Sequence, residues 1–192
     1  MGIRNKISRI ARRILSWHIY RPTITLFARE HLTMSLETGQ PVPDTTFMTM
    51  TEDGPAPMSS SDLFSGKRVV LFAVPGAYTP TCSAKHLPGF KEHAGEFKAK
   101  GVDTVACTSV NDVFVMDAWG KEQGADDVVM LADGNGEFAA AIGLEMDGSA
   151  FGMGTRSQRY AMVVNDGTVE QLFVEGPGEF KVSSAEHVLS NL

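Results

Sequence analysis

The residues best suited to chemistry fall in one short stretch, Pro75-Gly76-Ala77-Tyr78-Thr79-Pro80-Thr81-Cys82, continued by Ser83-Ala84-Lys85-His86-Leu87. Cys82 is the nucleophile of the set. The apolar run before it, Arg68 to Val74, reads as a buried strand, and good helix formers follow it. Thr81 or Cys82 is therefore expected to open a helix, with Thr81 as its N-cap. A cysteine in a first helical turn lies among backbone N–H groups without intrahelical partners, at the positive end of the helix dipole. Both features favour the thiolate, which is the reactive species. The bland alternative is an inert cysteine buried at a helix start. A strand end followed by a Gly/Pro-defined turn argues against it. Pro75 and Pro80 fix the backbone on either side of the turn. Thr79, three residues before the sulfur, is placed to turn its hydroxyl toward the thiolate or toward an oxygen bound beside it.

A nucleophilic thiolate also needs a fixed cation to keep it ionised and to stabilise charge on a leaving group. Two arginines are candidates, both in Gly154-Thr155-Arg156-Ser157-Gln158-Arg159-Tyr160. Arg159 begins an apolar strand, where a charge is normally excluded unless it is paired. Arg156 lies in the preceding loop and reads as a solvated surface group. His86 and His93 read as surface or helix-face histidines, and Asp126-Asp127 as a solvated loop. Phe47, Phe72, Phe90, Phe97, Phe138 and Trp119 read as core or dimer contacts. From the residues alone, the reading stops at a cysteine-based redox enzyme or thiol transferase. A cysteine hydrolase pairing Cys82 with His86 is a rival, weakened because residues four apart on one helix are offset by a turn and no acidic orienter is near. A redox-sensing binding module switched by oxidation of Cys82 is another.

These residues need a scaffold, and the chain supplies one from Gln40 onward. Thr45–Thr51 is a β-branched run that reads as an edge strand, and Glu52-Asp53-Gly54-Pro55 reads as a turn. Ser61–Phe64 reads as a helical turn ended by Gly66, and Lys67–Val74 as the first core strand. The helix behind Cys82 is expected to break at Pro88 and resume through Gly89–Lys100, with Gly101 at its end. Val102–Val110 and Val128–Ala132 read as strands, and Val113–Gln123, capped by Asn111-Asp112, and Asn135–Ile142 as helices. Asp147–Thr155 is glycine-rich and reads as loop. Gln158–Val164 and Thr168–Val174 flank Asn165-Asp166-Gly167, a hairpin signal. Ser183-Ser184-Ala185-Glu186 reads as a capping box opening a helix over Ala185–Leu192. Strands that alternate with helices and then close in a hairpin predict an α/β protein. The expected arrangement is a mixed central sheet with helices on both faces, of the thioredoxin-like kind.

With 192 residues, 43% of them hydrophobic and 21% charged, the chain has the composition of one globular domain. Its formal charge of −6 is unevenly spread. Residues 1–33 hold seven Lys/Arg against one acid, and the rest holds ten basic against 22 acidic residues. The acidic body argues against nucleic acid as a partner. No apolar run reaches the roughly 18 residues of a membrane-spanning helix. Ile3, Ile7, Ile10, Ile14 and Leu15 recur at helical spacing between arginines, so residues 1–33 have the look of a transit peptide or surface helix. A non-structural leader, or a true start at Met34, reads equally well. Residues 34–192 are then the domain. The absence of a secretory signal points to a cytoplasmic protein, and the leader leaves a mitochondrial destination open. Two cysteines, Cys82 and Cys107, make no disulfide framework, and the histidine spacing gives no metal motif.

Pro75-x-x-x-Thr79-x-x-Cys82 matches the active-site pattern of the peroxiredoxins. The fuller text resembles their type II group: Val74 to Cys82, His86-Leu87-Pro88-Gly89-Phe90, Ser109-Val110-Asn111-Asp112, Phe114-Val115-Met116, Arg159-Tyr160 before Ala161–Val164, and Val174-Glu175. The resemblance runs from about Val42 to Leu192. It implies a thiol-dependent peroxidase on a thioredoxin-like fold, acting on hydrogen peroxide and alkyl hydroperoxides. Cys82 would be oxidised to the sulfenic acid. Thr79 and the Cys82 N–H would hold the peroxide oxygens, Arg159 would activate thiolate and peroxide together, and Pro75 would shield the product from water. It implies no metal or prosthetic group, an external thiol reductant (glutathione with glutaredoxin, or thioredoxin), and a homodimer. Relatives with a C-terminal resolving cysteine carry it near Ser183, so that route is closed here. Plant-like relatives place a second cysteine before Ser-Val-Asn-Asp. That makes Cys107 the candidate resolving residue, set against its reading as a small apolar side chain in a core strand.

Overall fold

Strand β3, Arg68–Ala73, explains most of the architecture. Its residues alternate between two faces, as a strand's period of two requires. Val70 and Phe72 enter one apolar layer, and Val69, Leu71 and Ala73 enter the other. All five are fully buried, so β3 reads as an unbroken apolar run rather than an alternating one. The computed structural model describes residues 35–192. The extension expected over residues 1–33 lies outside the described residues.

Around β3 the chain builds a seven-stranded mixed sheet in the order β2-β1-β5-β4-β3-β8-β9. Here β1 is Thr46–Thr51, β2 Gly54–Ser59, β4 Thr104–Ser109, β5 Val129–Ala132, β8 Tyr160–Asn165 and β9 Thr168–Val174. Strands β3, β4 and β5 run parallel, and the remaining pairs are antiparallel. One layer receives Leu87 and Phe90 of α2 (Leu87–Glu92), Phe97 of α3 (Ala94–Ala99), Met116 and Trp119 of α4 (Val113–Gln123), and Val188 of α6 (Ala185–Ser190). The other receives Leu63 and Phe64 of α1 (Ser60–Phe64) and Phe138 of α5 (Glu137–Ala141). Helices therefore cover both faces, as the alternation of elements predicts. Phe47, Phe72, Phe90, Phe97, Phe138 and Trp119 are all buried core, also as expected. Among the described residues no helix is long and apolar enough to cross a membrane.

Several local expectations are corrected. Strand β1 is interior, because residues 54–59 fold back on it as β2 and form the true edge. Pro55 and Pro57 in β2 lack N–H groups on one side of the strand, which an edge strand tolerates. The glycine-rich segment holds a small hairpin. It pairs β6 (Glu145–Asp147) with β7 (Thr155–Ser157), closed by Gly148 N–H donating to Gly154 O at 2.8 Å. Such a ribbon is held by backbone bonds and leaves no apolar alternation to read. The helix behind Cys82 does not break at Pro88. A single wide turn, Cys82–His86, in which Leu87 N–H donates to Cys82 O, precedes α2. Pro88 follows that wide turn directly, where the bond pattern has already slipped from the regular i→i−4 register that its missing N–H would have joined. The break comes at His93, whose backbone leaves the helical region. At the C-terminus Ser184, not Ser183, caps α6 by accepting from His187 N–H, and Ser183 turns inward.

Candidate active site

The loop from Pro75 to Thr79 leaves the C-terminal end of β3, beside the end of β4, where parallel strands of open α/β sheets commonly present their sites. Its shape is set locally. Ala77 N–H donates to Asn111 Oδ1 at 3.0 Å, and Ser109 Oγ donates to the same oxygen at 2.9 Å, tying the loop to the end of β4. Tyr78 adopts a left-handed conformation (φ 62°) with its ring exposed, which turns the chain back toward the sheet. Gly76 relieves a tight spot: a Cβ there would stand 3.2 Å from Thr79 Cγ2, so the threonine that contacts the sulfur would have to give way slightly. The helical backbone begins at Pro80, one residue earlier than expected, and Thr81 makes no side-chain cap. Pro80 suits that position because its φ is already helical and its N–H is not needed. The first intrahelical bond joins Ser83 N–H to Thr79 O, so the Cys82 N–H has no intrahelical acceptor.

Cys82 is fully buried. Its Sγ lies 2.7 Å from Thr79 Oγ1 and 3.4 Å from Arg159 Nη2. Thr79 Oγ1 is also 2.9 Å from Gly76 O. A hydroxyl carries one proton, so these two contacts describe two states of the sulfur. With a thiol, S–H donates to Oγ1 and the hydroxyl donates to Gly76 O. With a thiolate, the hydroxyl turns and donates to sulfur. Thr79 thus follows the charge of Cys82 by rotating one bond.

Arg159, immediately before β8, is half-buried and aimed at the sulfur as the pairing argument expects. Its other terminal nitrogen, Nη1, is 2.9 Å from His86 Nδ1, and the guanidinium lies 5.7 Å from the Phe180 ring centre. Among the described residues no carboxylate pairs with Arg159. Arg156 is not the solvated group expected of a loop arginine. It is half-buried, donating from Nε to Met153 O at 2.8 Å and from Nη1 to Val110 O at 2.7 Å. Its guanidinium clamps two loop carbonyls instead of facing water.

The largest departure from the sequence reading is His86, which is fully buried and not on the surface. Its Nε2 is 2.9 Å from Ser183 O, and its ring packs against Phe72, Phe90 and Phe180 with centroid distances of 4.9, 5.6 and 5.0 Å. A guanidinium can only donate and a carbonyl can only accept, so the ring is neutral with its proton on Nε2. Burial, followed by the nearby Arg159 charge, pushes its pKa down to about 3 against the Ser183 bond. Both ring nitrogens are committed, so His86 is not a base for Cys82 and the hydrolase rival loses its second residue. Ser183 in turn donates from N and Oγ to Glu175 Oε1 at 2.8 and 2.9 Å. Burial pushes the Glu175 carboxyl up, but its backbone donors from residues 181–183 and the Ser183 hydroxyl outweigh this and hold it below its ordinary value. The sequence offers His86 only as a surface histidine or as the base of the hydrolase rival, and gives Ser183 and Glu175 no place in the site. The one legible hint was an acid directly after an apolar strand, at Val174-Glu175.

A cleft of about 650 Å³ opens beside the buried sulfur, lined by Pro75, Thr81, Phe151, Arg159, Glu175 and Glu179 among others. Cys107 lies elsewhere in the same apolar layer. It sits in the middle of β4, paired in register with Phe72 on one side and Met130 on the other, and is fully buried. Burial first, and the neighbouring Cys82 second, push its thiol well above the ordinary value. His93 is partly exposed and contacts Glu96 at 2.7 Å, and Asp126 and Asp127 are solvated as expected. Among the described residues no three metal-ligating side chains cluster.

Residues 37–189 match the family described as Redoxin. The chain is 46% identical over 175 residues to a chloroplastic peroxiredoxin-2E of Arabidopsis thaliana, covering 88% of this chain and 75% of that protein. It is 49% identical over 147 residues to a peroxiredoxin of Synechocystis, covering 72% of this chain and 78% of that one. Among solved structures it is similar to reduced Prx3 of Vibrio vulnificus in complex with hydrogen peroxide. That match has 52% identity and a TM-score of 0.79, over 81% of this chain and 98% of the other.

Proposed function

The chain belongs to the redoxin family as a type II peroxiredoxin, a thiol-dependent peroxidase, and from that premise we propose how its own residues carry the reaction. Cys82 is the sulfur oxidised. The observation that supports this most strongly is the pair of donors, Thr79 Oγ1 and Arg159 Nη2, on a sulfur that has no exposed surface of its own. Both groups can donate to the thiolate that attacks a hydroperoxide, and the guanidinium does so with a full charge, which makes its hydrogen bond the stronger one.

The thiolate attacks one oxygen of the hydroperoxide. The S–O bond forms as the O–O bond breaks, sulfur loses two electrons, and the departing hydroxide or alkoxide takes a proton and leaves as water or alcohol. Arg159 faces both the sulfur and the cleft, so its charge also offsets the charge developing on the departing oxygen. The Cys82 N–H, free of an intrahelical acceptor, and the Thr79 hydroxyl, which turns its one proton from sulfur to the bound peroxide, are the donors for the peroxide oxygens. Pro75 forms part of the cleft wall and keeps water from the sulfenic acid. A reductant thiol then condenses with the sulfenic acid, releasing water and leaving a mixed disulfide. These steps use the side chains and an external thiol. Cys82→Ser protein should consume no peroxide in the presence of reductant; unchanged turnover would end this assignment.

We assign the second step to glutathione with glutaredoxin, or to thioredoxin, and not to Cys107. Cys107 is fully buried in the middle of β4 and burial holds its thiol protonated, so it offers no thiolate to attack the sulfenic acid. The exposed Tyr78, Phe114 and Phe151 are apolar surface that a homodimer would cover. Sedimentation equilibrium should give twice the chain mass. For compartment, the basic residues 1–33 and the chloroplastic name of the Arabidopsis relative support delivery to an organelle. A fluorescent reporter fused behind residues 1–33 should leave the cytosol.

A further inference from the structure

We propose that His86 is a positioning residue for the peroxidase, aiming Arg159 at Cys82 without neutralising it, and that Ser183 and Glu175 hold His86 in the tautomer this requires. The inference rests on the assignment of Cys82 and Arg159 above and carries it one layer outward.

A guanidinium beside a thiolate can be oriented in two ways. A carboxylate would hold it firmly, but its negative charge beside the same cation would also offset the positive field at sulfur. A neutral acceptor holds it by geometry alone. The structure uses the second arrangement. Arg159 donates from Nη1 to His86 Nδ1 at 2.9 Å and from Nη2 to Cys82 Sγ at 3.4 Å, so two terminal nitrogens of one planar group are fixed at once. Among the described residues no carboxylate shares Arg159.

For Nδ1 to accept, the ring proton must sit on Nε2, and something must hold it there. Ser183 O, 2.9 Å from Nε2, does so. That carbonyl is placed by the segment before α6, where Glu175 Oε1 accepts from Lys181 N, Ser183 N and Ser183 Oγ at 2.6, 2.8 and 2.9 Å. Phe72, Phe90 and Phe180 enclose the ring and keep water from competing for either nitrogen. The result is a continuous chain of contacts, Glu175 to Ser183 to His86 to Arg159 to Cys82. It joins the end of β9 and the start of α6 to the reacting sulfur.

The test compares substitutions that keep or remove the acceptor. His86→Phe fills the aromatic cage and removes it. His86→Asn places an amide oxygen near the Nδ1 position and restores it. Stopped-flow rates with hydrogen peroxide are measured together with the pH dependence of Cys82 alkylation in folded protein. His86→Phe is expected to slow the peroxide reaction by roughly 10–100-fold, the scale of a small misplacement of a reacting group, and to move the alkylation profile to higher pH. His86→Asn should recover most of both. In Arg159→Ala background, His86→Phe should add less than twofold, because the two act as one unit. Alkylation and peroxide rates of folded His86→Phe within twofold of the parent would overturn the proposal, as would multiplicative effects in the double variant. Should His86→Phe not fold, the His86→Asn and His86→Gln pair decides. Asn keeps the Arg159 acceptor and Gln keeps the donor to Ser183, so the proposal requires Asn to be the faster, and equal rates would overturn it. Failure of the parent protein itself to consume peroxide would instead remove the peroxidase assignment.

Discussion

Two cysteines share one apolar layer of this molecule, both without exposed surface, and only one of them is built for chemistry. Cys107 stands in the middle of a parallel strand, with neighbouring strands on both sides and its thiol held in the neutral form by burial. Cys82 stands where a strand gives way to a helix, with a hydroxyl and a guanidinium on its sulfur. Exposure does not separate them. The difference lies in the donors, and donors cluster where backbone leaves regular structure, because there side chains and unpaired N–H groups can converge. A cysteine's reactivity is thus a property of the elements that end around it.

This contrast can be broken from its polar side. Arg159→Ala removes the fixed cation while leaving the sulfur in place. The second-order rate with hydrogen peroxide should fall by about 10²–10³, the cost of losing one preorganised donor to developing charge. A rate within threefold of the parent would show that Cys82 does not depend on its cation. Thr79→Val removes the second donor. Its loss should cost roughly 10–100-fold, in line with about 1.5–3 kcal/mol for a hydrogen bond to a charged group. Circular dichroism should be unchanged, since the valine fills nearly the same space.

Acid sharpens the comparison in a different way. His86 has an ordinary pKa of 6.5 and is pushed down to about 3 in the fold, chiefly by burial and then by Arg159. The folded ring stays neutral while the unfolded chain takes up a proton. Its contribution to stability is therefore fully present above pH 6.5 and is lost as pH falls toward 3. At about 1.4 kcal/mol per unit, the fall from pH 6.5 to 5 should remove roughly 2 kcal/mol. Denaturant titrations of His86→Asn should lack that part of the slope. Glu175, also held below its ordinary value, adds its own loss only at lower pH, as the carboxylate range is crossed. The smallest effect is expected at the apolar sulfur. Cys107→Ala should leave the peroxide rate and the reduction by glutathione within twofold and cost about 1 kcal/mol of stability, a typical value for a modest core substitution.

Much of this was legible in the residues, because the signals were local. The apolar run of β3, the Asp112 cap of α4 and the Asp166-Gly167 turn each lie within a few residues of what they determine. The Cys82 loop and the charge of Arg159 before an apolar strand were legible for the same reason. What was not legible depends on distant partners. His86 meets Arg159 from 73 residues away and Ser183 from 97. Nothing near His86 in the chain marks it as buried, and a histidine at a helix end ordinarily faces water. Arg156 was misread alike: its partners, Met153 O and Val110 O, are backbone atoms that leave no signature in residue type. Strand β2 was hidden by its own prolines, which argue against a central strand but suit an edge.

The most direct test of the central claim, that donors and not burial select the reacting sulfur, is mass spectrometry of the protein after one equivalent of hydrogen peroxide, with and without glutathione. One added oxygen is expected on the peptide carrying Cys82, replaced by a glutathione mixed disulfide at Cys82 when glutathione is present, with Cys107 unmodified in both. Oxygen on Cys107 in comparable amount, or a Cys82–Cys107 disulfide in place of the glutathione adduct, would contradict it.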